Sequence, residues 1–306
     1  MFHSAPGINT VALEPPVSVT PEMYIAVRRA EGAESCGMPY GTFTRGRARV
    51  LITDADFQAG PLTSVGPADN FRLQAQASNT ASVRVSTIPV VGSAAGVNGA
   101  FFRTSLTLAN PASVEIRGKL RLRFAGRSGT DADPTLDYTI PANGTLSYAD
   151  LLLAMNQSGL GSLDVLTTGS SAPIATARVF NDTGATGTSG FSEDAVPAGG
   201  TYYSVATVAI PADPVNFRLN VGIRTITAGD LTIDIYDAAG IRQTSFTKSY
   251  PADFFEQPTA SAFVNGNTLP AGGKVVVSSF GNKEFIVYGA LTDNRTNDPS
   301  LRIGSD

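Results

Sequence analysis

One segment of the sequence occurs twice. Residues 101–110 read FFRTSLTLAN and residues 216–223 read NFRLNVGI, so Phe102-Arg103 and Phe217-Arg218 are offset by 217 − 102 = 115 residues. Later segments repeat in the same order at slightly shorter offsets: residues 119–124 correspond to residues 231–236, with an offset of 231 − 119 = 112, and residues 175–182 correspond to residues 286–294, with an offset of 286 − 175 = 111. An offset of this size is the length of one small domain, and a chain of 306 residues suffices for two such domains. The repeat therefore predicts a duplicated domain.

Composition predicts that the duplicated domain is built from β-strands. Charged residues make up only 16% of the chain, which contains 31 Gly and 19 Pro. Short runs of β-branched residues, separated by turn residues at intervals of about 8 to 12 residues, are typical of β-sandwiches. We therefore expect an all-β chain of two tandem Ig-like β-sandwich modules with an extended N-terminal arm and a short partial β segment. The predicted boundaries are 1–80 for the arm and partial segment, 81–200 for the first module and 201–306 for the second.

The N-terminal part does not follow the repeat closely. Residues 1–20 contain three prolines and no helical period, which predicts an extended arm in which residues 11–13 can pair as an edge strand. Apolar and β-branched residues predict two further strands, at residues 23–29 and residues 47–52. Residues 67–73 (PADNFRL) resemble residues 211–219 (PADPVNFRL), so this part is interpreted as a truncated relative of the module.

Local patterns in the first module predict strands and one short helix. Residues 120–124 alternate apolar and polar side chains, as in a strand with one solvated face. This pattern predicts that Arg121 and Arg123 face solvent, whereas Leu120, Leu122 and Phe124 point inward. A helix of one or two turns is predicted within residues 148–156, with Ser147 as its N-cap.

The second module contains two predicted hairpins. Residues 232–236 and 241–248 flank a turn closed by glycine, which predicts two antiparallel strands. Residues 274–280 and 284–289 flank a second Gly-containing turn and predict a hairpin of the same kind. The continuous apolar character of these last strands indicates burial on both faces.

Several of these motifs resemble tandem modules that are common in secreted or surface proteins of bacteria. The resemblance covers residues 83–300 and rests on four motifs: residues 102–103 (FR), 177–182 (ARVFND), 216–222 (NFRLNVG) and 287–300 (VYGALTDNRTNDPS). It implies an exported, noncatalytic pair of β-sandwiches. The family has no established activity, so the resemblance implies no catalytic residues.

Net charge and cysteine content exclude several classes of partner and site. The formal charge of −4 leaves no basic surface for nucleic acid or for an anionic membrane. Cys36 is the only cysteine, so neither an intrachain disulfide nor a cysteine zinc site can form. No run of about 18 apolar residues is present, and residues 1–10 lack the charged and apolar regions of a signal peptide. We therefore expect no membrane insertion.

The sequence offers little for catalysis. His3 is the only histidine and lies in the predicted arm, so a Ser-His-Asp triad or a histidine zinc site would depend on it. Cys36 would need an activating base to serve as a nucleophile. We therefore expect no enzymatic activity and assign no catalytic residues.

Two groups of carboxylates are candidate metal ligands. Asp131, Asp133 and Asp137 lie in one loop whose alternating oxygens suit Ca²⁺, a hard ion that takes about six to eight oxygen ligands. Asp293 and Asp298 form a similar group after the last long strand. The alternative is that these oxygens cap backbone N–H groups in ordinary turns. No cofactor other than Ca²⁺ is expected.

Repeated arginines and paired aromatic residues are the remaining candidates. Arg103 and Arg218 follow the repeated phenylalanines, either as anion receptors or, in the interpretation we favour, as partners of an acidic loop in their own module. The predicted interface residues occur as adjacent pairs: Tyr202 and Tyr203, and Phe254 and Phe255. In a strand, one ring of each pair points outward and can pack against a neighbouring module or a ligand.

These observations favour a noncatalytic extracellular or cell-surface protein with a structural or adhesive role. Its expected partner is protein, including self-association through the N-terminal arm, because an extended peptide can add to an exposed sheet edge and link subunits head to tail. The alternative is a carbohydrate-dependent or Ca²⁺-dependent binding module appended to a secreted enzyme, with a glycan as its partner.

Overall fold

The computed structural model describes residues 24–28, 49–53, 82–200, 204–264, 266, 268–281 and 283–305. The chain divides into two compact units, residues 1–80 and residues 81–306. In the first unit, β1 (Tyr24–Arg28) pairs in parallel with β2 (Arg49–Thr53), which confirms the two strands predicted there. The predicted arm, His3, Cys36 and the PADNFRL motif lie outside the described residues.

The second unit contains two copies of one arrangement of strands. The first copy comprises β3 (Val83–Ala95), β4 (Phe101–Ala109), β5 (Ile116–Phe124), β6 (Thr135–Ile140), β7 (Thr145–Tyr148), α1 (Leu151–Ala154), β8 (Gly159–Thr167), β9 (Ile174–Asp182), β10 (Thr188–Asp194) and β11 (Val196–Pro197). The second copy comprises β12 (Val205–Ala209), β13 (Phe217–Thr225), β14 (Gly229–Tyr236), β15 (Arg242–Tyr250), β16 (Phe254–Glu256), α2 (Ala260–Phe263), β17 (Lys274–Ser279), β18 (Phe285–Asp293) and β19 (Pro299–Ile303).

The order of the strands is the same in the two copies. In the first copy, β3-β8-β5-β6 form one layer and β10-β9-β4-β7 the other, and β3 joins the layers because its last residues also pair with β4. In the second copy, the corresponding layers are β12-β17-β14-β15 and β19-β18-β13-β16. The all-β prediction is therefore confirmed. The immunoglobulin-like part is not confirmed, because the first two strands of an immunoglobulin domain share a sheet, whereas β12 and β13 lie in different sheets.

Each sandwich buries one face of its strands in its own core. Leu120 and Leu122 are fully buried in the first core, as their alternation predicts, and Ile233 and Ile235 are buried in the second. The alignment of residues 119–124 with residues 231–236 is therefore out of step by one residue, because it matches Leu120 and Leu122 with Thr232 and Asp234. The helix begins later than predicted. Its N-cap is Asp150, which accepts a hydrogen bond from the backbone N–H of Leu153, because Ser147 is still paired within β7.

One predicted hairpin is confirmed and the other is wrong. β14 and β15 pair antiparallel across a turn in which Gly240 has a φ of 79°. β17 and β18 do not pair with each other, since β17 lies between β12 and β14, whereas β18 lies between β13 and β19. The turn at Gly281, with a φ of 78°, carries the chain from one layer of the sandwich to the other.

The continuous apolar stretch of β18 is buried on both faces, as predicted. Residues Phe285 and Val287 point into the core of the second sandwich, and Ile286 and Tyr288 point to its outer face. All four side chains are fully buried. The outer face is buried because the first sandwich covers it.

Candidate functional site

The two sandwiches meet at a junction that buries charged side chains. The junction is defined here by Arg84, Arg123, Arg127, Asp133 and Asp164 of the first sandwich and Arg224, Asp253 and Glu284 of the second. Arg224 is fully buried, and the side chains of Asp164 and Asp133 are only 2% and 1% exposed. Four guanidinium groups thus face four carboxylates, and of these eight residues the sequence singled out only Arg123, as solvent-facing, and Asp133, as a calcium ligand.

Asp164 is the centre of the junction. Its two carboxylate oxygens each accept a hydrogen bond of 3.1 Å from Nη2 of Arg224. It also accepts hydrogen bonds from Nε of Arg123 at 2.8 Å and from the Thr87 hydroxyl at 3.1 Å. Nη2 of Arg224 reaches Asp253 at 2.8 Å, so Arg224 connects carboxylates of both sandwiches. Removing Asp164 would therefore leave two buried cations short of a partner.

The periodicity of the strands places these charges. On β8, Leu163 and Val165 point into the first core, so Asp164 points to the outer face of the sheet. On β13, Val221 and Ile223 point into the second core, so Arg224 points outward. The junction forms where these two outer faces meet.

Arg123 is the clearest departure from the sequence prediction. Its position on the outer face of β5 is as predicted, but it is only 5% exposed, because the second sandwich covers that face. Nη1 of Arg123 also donates to Asp133 at 2.9 Å and to the carbonyl of Thr130. The prediction that Arg123 faces solvent is wrong, since alternation indicates the side of a sheet and not what covers it.

The charges of the junction stabilise one another. Burial acts to raise the pKa of Asp164, but Arg224 and Arg123 outweigh it and hold that pKa below its ordinary value. Burial acts to lower the pKa of Arg123, and Asp164 outweighs it, so the pKa of Arg123 is raised. Both side chains are therefore ionised at neutral pH.

An apolar cluster lies beside the charged junction. Val90 and Val179 of the first sandwich pack against Phe255 and Tyr288 of the second, and the two rings stack with centroids 6.5 Å apart. Glu193 of the first sandwich is buried near Tyr288. Burial raises the pKa of Glu193 well above its ordinary value, and the backbone of Val90 offsets this only in part. None of the groups that shift the pKa of this buried carboxyl is a cation.

Backbone hydrogen bonds also cross between the sandwiches. The N–H of Gly126 donates to the carbonyl of Phe255, and that of Gly129 to the carbonyl of Asp253, both at 2.8 Å. At another point, the Asn297 side chain donates to the carbonyl of Asn98 at 3.2 Å. Charges, apolar side chains and backbone groups thus all form contacts between the two sandwiches.

The carboxylates predicted as calcium ligands do not converge. Asp131 pairs with Arg121 at 2.6 Å, and Asp137 pairs with Lys119 at 2.7 Å. Asp133 lies in the junction between Arg123 and Arg127, with its carboxylate also accepting from the N–H of Thr130. No group of three or more His, Cys, Asp or Glu side chains in the described part of the chain is arranged to hold a metal ion.

The second predicted group forms a turn. Asp293 accepts hydrogen bonds from the N–H groups of Arg295 and Thr296, which lower its pKa below the ordinary value. The N–H of Asp298 donates to the Thr296 hydroxyl. Asp293 and Asp298 thus take part in a capped turn, as in the alternative interpretation of this loop.

Arg103 and Arg218 each contact the loop of their own sandwich. Arg103 pairs with Asp150, and with Asp182 at 2.9 Å. Arg218 donates to the side-chain oxygens of Asn294 and Asn297, at 3.1 and 3.0 Å. The repeated arginines therefore tie equivalent loops to equivalent strands.

The predicted aromatic interface residues have different positions. Phe254 packs against the core of the second sandwich, whereas Phe255 is fully buried in the apolar cluster at the junction. Tyr202 and Tyr203 lie outside the described residues.

Sequence reasoning missed Asp164 and Arg224 altogether. The available signal was a charge next to apolar residues: Asp164 is the one charge in GLGSLDVLT, and Arg224 follows VGI in FRLNVGIRT, which also contains Arg218. Such a charge is costly to bury without a partner. The identity of the partner, 60 residues away, does not follow from the local pattern.

No protein-family model, curated protein or solved structure matches this chain. Within the described residues, no helix is long and apolar enough to span a membrane. The assignment of function therefore depends on the geometry of the chain itself.

Proposed function

We propose that the protein is a noncatalytic structural component of an extracellular or cell-surface assembly, in which residues 81–306 act as a rigid body. The observation that supports this proposal is the buried junction between the sandwiches. Tandem domains usually move relative to each other unless the interface between them is large and well packed. Here rotation of one sandwich would expose Arg224 and Asp164 and separate their hydrogen bonds.

Rigidity can be measured directly with two spin labels. Leu153 and Ile241 are exposed, at 68% and 60%, and lie on different sandwiches. Labels at Leu153→Cys and Ile241→Cys, in a Cys36→Ser background, should give one narrow distance distribution by electron paramagnetic resonance. A broad or bimodal distribution in the intact protein would contradict the rigid body.

The proposed assembly proceeds by self-association through the N-terminal arm. Light scattering of the full chain should show a mass above that of the monomer that rises with concentration. Deletion of residues 1–20 should return the mass to that of the monomer. An unchanged mass after the deletion would refute self-association through the arm.

The alternative of a glycan-dependent or Ca²⁺-dependent binding module predicts a ligand-dependent rise in melting temperature. The carboxylates first considered for Ca²⁺ are engaged with cations or turn N–H groups. No feature of the described residues therefore favours the alternative. Millimolar Ca²⁺ and a glycan panel are the ligands with which to test it.

A further inference from the structure

Glu193 of β10 is a buried carboxyl group at the apolar half of the junction. It is 6% exposed, and neither of its oxygens has a partner of hydrogen-bonding geometry in the described part of the chain. Its side chain points to the same face of the sheet as Phe191, which packs in the apolar cluster. Strand β10 also lies against β19 of the second sandwich. An unpaired acid therefore sits where the two sandwiches meet.

The repeat shows that the fold itself does not bury this position. The offset of 115 residues between β4 and β13 makes Ala177 and Gly289 equivalent, because they pair with matched residues of those strands. Glu193 pairs with Ala177, and Arg302 pairs with Gly289. Arg302 is exposed in the second sandwich. The burial of Glu193 thus comes from the contact with the other sandwich.

The charged residues of the neighbouring strands do not neutralise Glu193. Asp194 and Arg178 point to the opposite face of β10 and β9, where they bond to Thr176 and Thr188. None of the charged side chains around the cluster contributes to the pKa of Glu193. The others on these strands, apart from the exposed Arg302, are bonded elsewhere: Arg84 of β3, Asp164 of β8, Asp182 of β9, Glu256 of β16 and Asp293 of β18.

Tyr288 is the titratable group that faces Glu193 from the second sandwich. Burial and the charge of Glu193 raise the pKa of Tyr288 well above its ordinary value. Its hydroxyl donates to Oε1 of Gln257 at 2.6 Å, so it is not a donor to Glu193. Tyr288 therefore stays neutral while Glu193 titrates.

We propose that Glu193 is a proton-controlled latch between the two sandwiches: as a neutral acid it allows the apolar half of the junction to close, and when ionised it opens that half. Opening means that Phe255 and Tyr288 separate from Val90 and Val179, so that water reaches the carboxylate. The inference rests on the proposed rigid body, which is the state with Glu193 protonated.

The direction of the switch follows from where the charge can be solvated. An ionised carboxylate is costly to bury without a hydrogen bond or a counter-ion. The closed junction raises the pKa of Glu193, so the contribution of the proton to closure is fully present below the ordinary value of about 4.3 and is lost as the pH rises through the raised value. Asp164, whose pKa is lowered, keeps its charge over this range.

Spin labels at Leu153→Cys and Ile241→Cys, in the Cys36→Ser background, test the latch in the full chain. The distance distribution should be narrow at about pH 5 and should broaden by about pH 9, as the proton is released. With Glu193→Gln, which has nearly the same shape and stays neutral, the distribution should remain narrow throughout. Glu115→Gln is the matched control, because Glu115 is an exposed carboxylate of the same sandwich, and it should behave like the original chain.

Hydrogen exchange locates the opening. The N–H groups of Gly126 and Gly129 donate across the junction to carbonyls of the second sandwich. Their protection factors, corrected for intrinsic exchange, should fall by up to about tenfold per pH unit, since opening releases one proton. The amides of Leu163 and Ile233, in the centre of their own sheets, should keep their protection.

The outcomes separate the latch from the rigid body. A distribution that stays narrow at every pH in the original chain would overturn the latch and leave the rigid body standing. A broad distribution already at about pH 5 would refute the rigid body itself, and the latch with it. Broadening that Glu193→Gln shares with the original chain would assign the pH dependence to another group.

A titration of the original chain does not depend on any variant. The carboxyl carbon of Glu193, followed by nuclear magnetic resonance, should titrate above the ordinary glutamate range and together with the loss of protection at Gly126 and Gly129. Titration at the ordinary value while these amides remain protected would also overturn the latch.

Discussion

Asp164→Asn is the substitution expected to weaken the junction most directly. It preserves the shape of the side chain but removes the negative charge that Arg123 and Arg224 share. Breaking a buried ion pair costs about 3 to 5 kcal/mol. Asp253, at 2.8 Å from Arg224 and 3.6 Å from Arg123, still compensates part of the charge. We therefore expect a loss of about 3 kcal/mol, at the lower end of that range.

The loss can be measured by urea denaturation and calorimetry of the full chain. For a unit of this size, about 3 kcal/mol lowers the melting temperature by about 6 to 12 °C. The control is Asp131→Asn, because Asp131 is 97% exposed and its pair with Arg121 contributes at most about 1 kcal/mol. Similar losses in the two variants would refute the assignment of Asp164 as the centre of the junction.

The pH dependence provides a second check on the same substitution. Because the pKa of Asp164 is lowered on folding, its charge stabilises the protein above the ordinary carboxyl pKa of about 3.9. That contribution is lost as the pH falls through the lowered value in the folded state. The difference in stability between the original chain and Asp164→Asn should therefore shrink in acid. A difference that stays constant down to strongly acidic pH would contradict this account.

Four further substitutions test other parts of the fold. Because folding raises the pKa of Glu193, the protein loses stability as the pH rises through that raised value and Glu193 ionises. Glu193→Gln cannot ionise, so its free energy of unfolding relative to that of the original chain should increase with pH in urea titrations. Gly222→Ala places a methyl group against the Tyr288 ring, and overpacking should cost about 1 to 3 kcal/mol in the same assay. Thr259→Ala removes the N-cap of α2 and should cost about 1 kcal/mol by chemical denaturation, and Asp150→Ala, which removes both the N-cap of α1 and the pair with Arg103, should cost at least as much.

The repeat and the strand pattern were predictable because each is recorded locally in the sequence. The offset between Phe102 and Phe217 predicts the duplication, and alternation predicts that Leu120 and Leu122 point inward. The turn at Gly281 was predictable as a turn, but not as a crossing between layers. A glycine with positive φ serves a hairpin and a crossing equally well, and the partners of the flanking strands decide between them.

The junction was not predictable, because it depends on what covers the outer face of each sheet. Arg123 and Arg224 occupy outward positions, and in isolated sandwiches both would be solvated. Only the contact with the other sandwich makes them part of a buried network. A single sequence does not reveal which outer faces meet, since the pairing of Asp164 with Arg224 joins different domains.

The charged and apolar parts of the junction contribute in different ways. The cluster around Phe255 and Tyr288 removes apolar surface from water, which favours association but is not directional. Fixed hydrogen bonds from guanidinium groups to Asp164 are directional, and an altered orientation would leave buried charges unpaired. The apolar cluster thus holds the sandwiches together, and the ion pairs determine their angle.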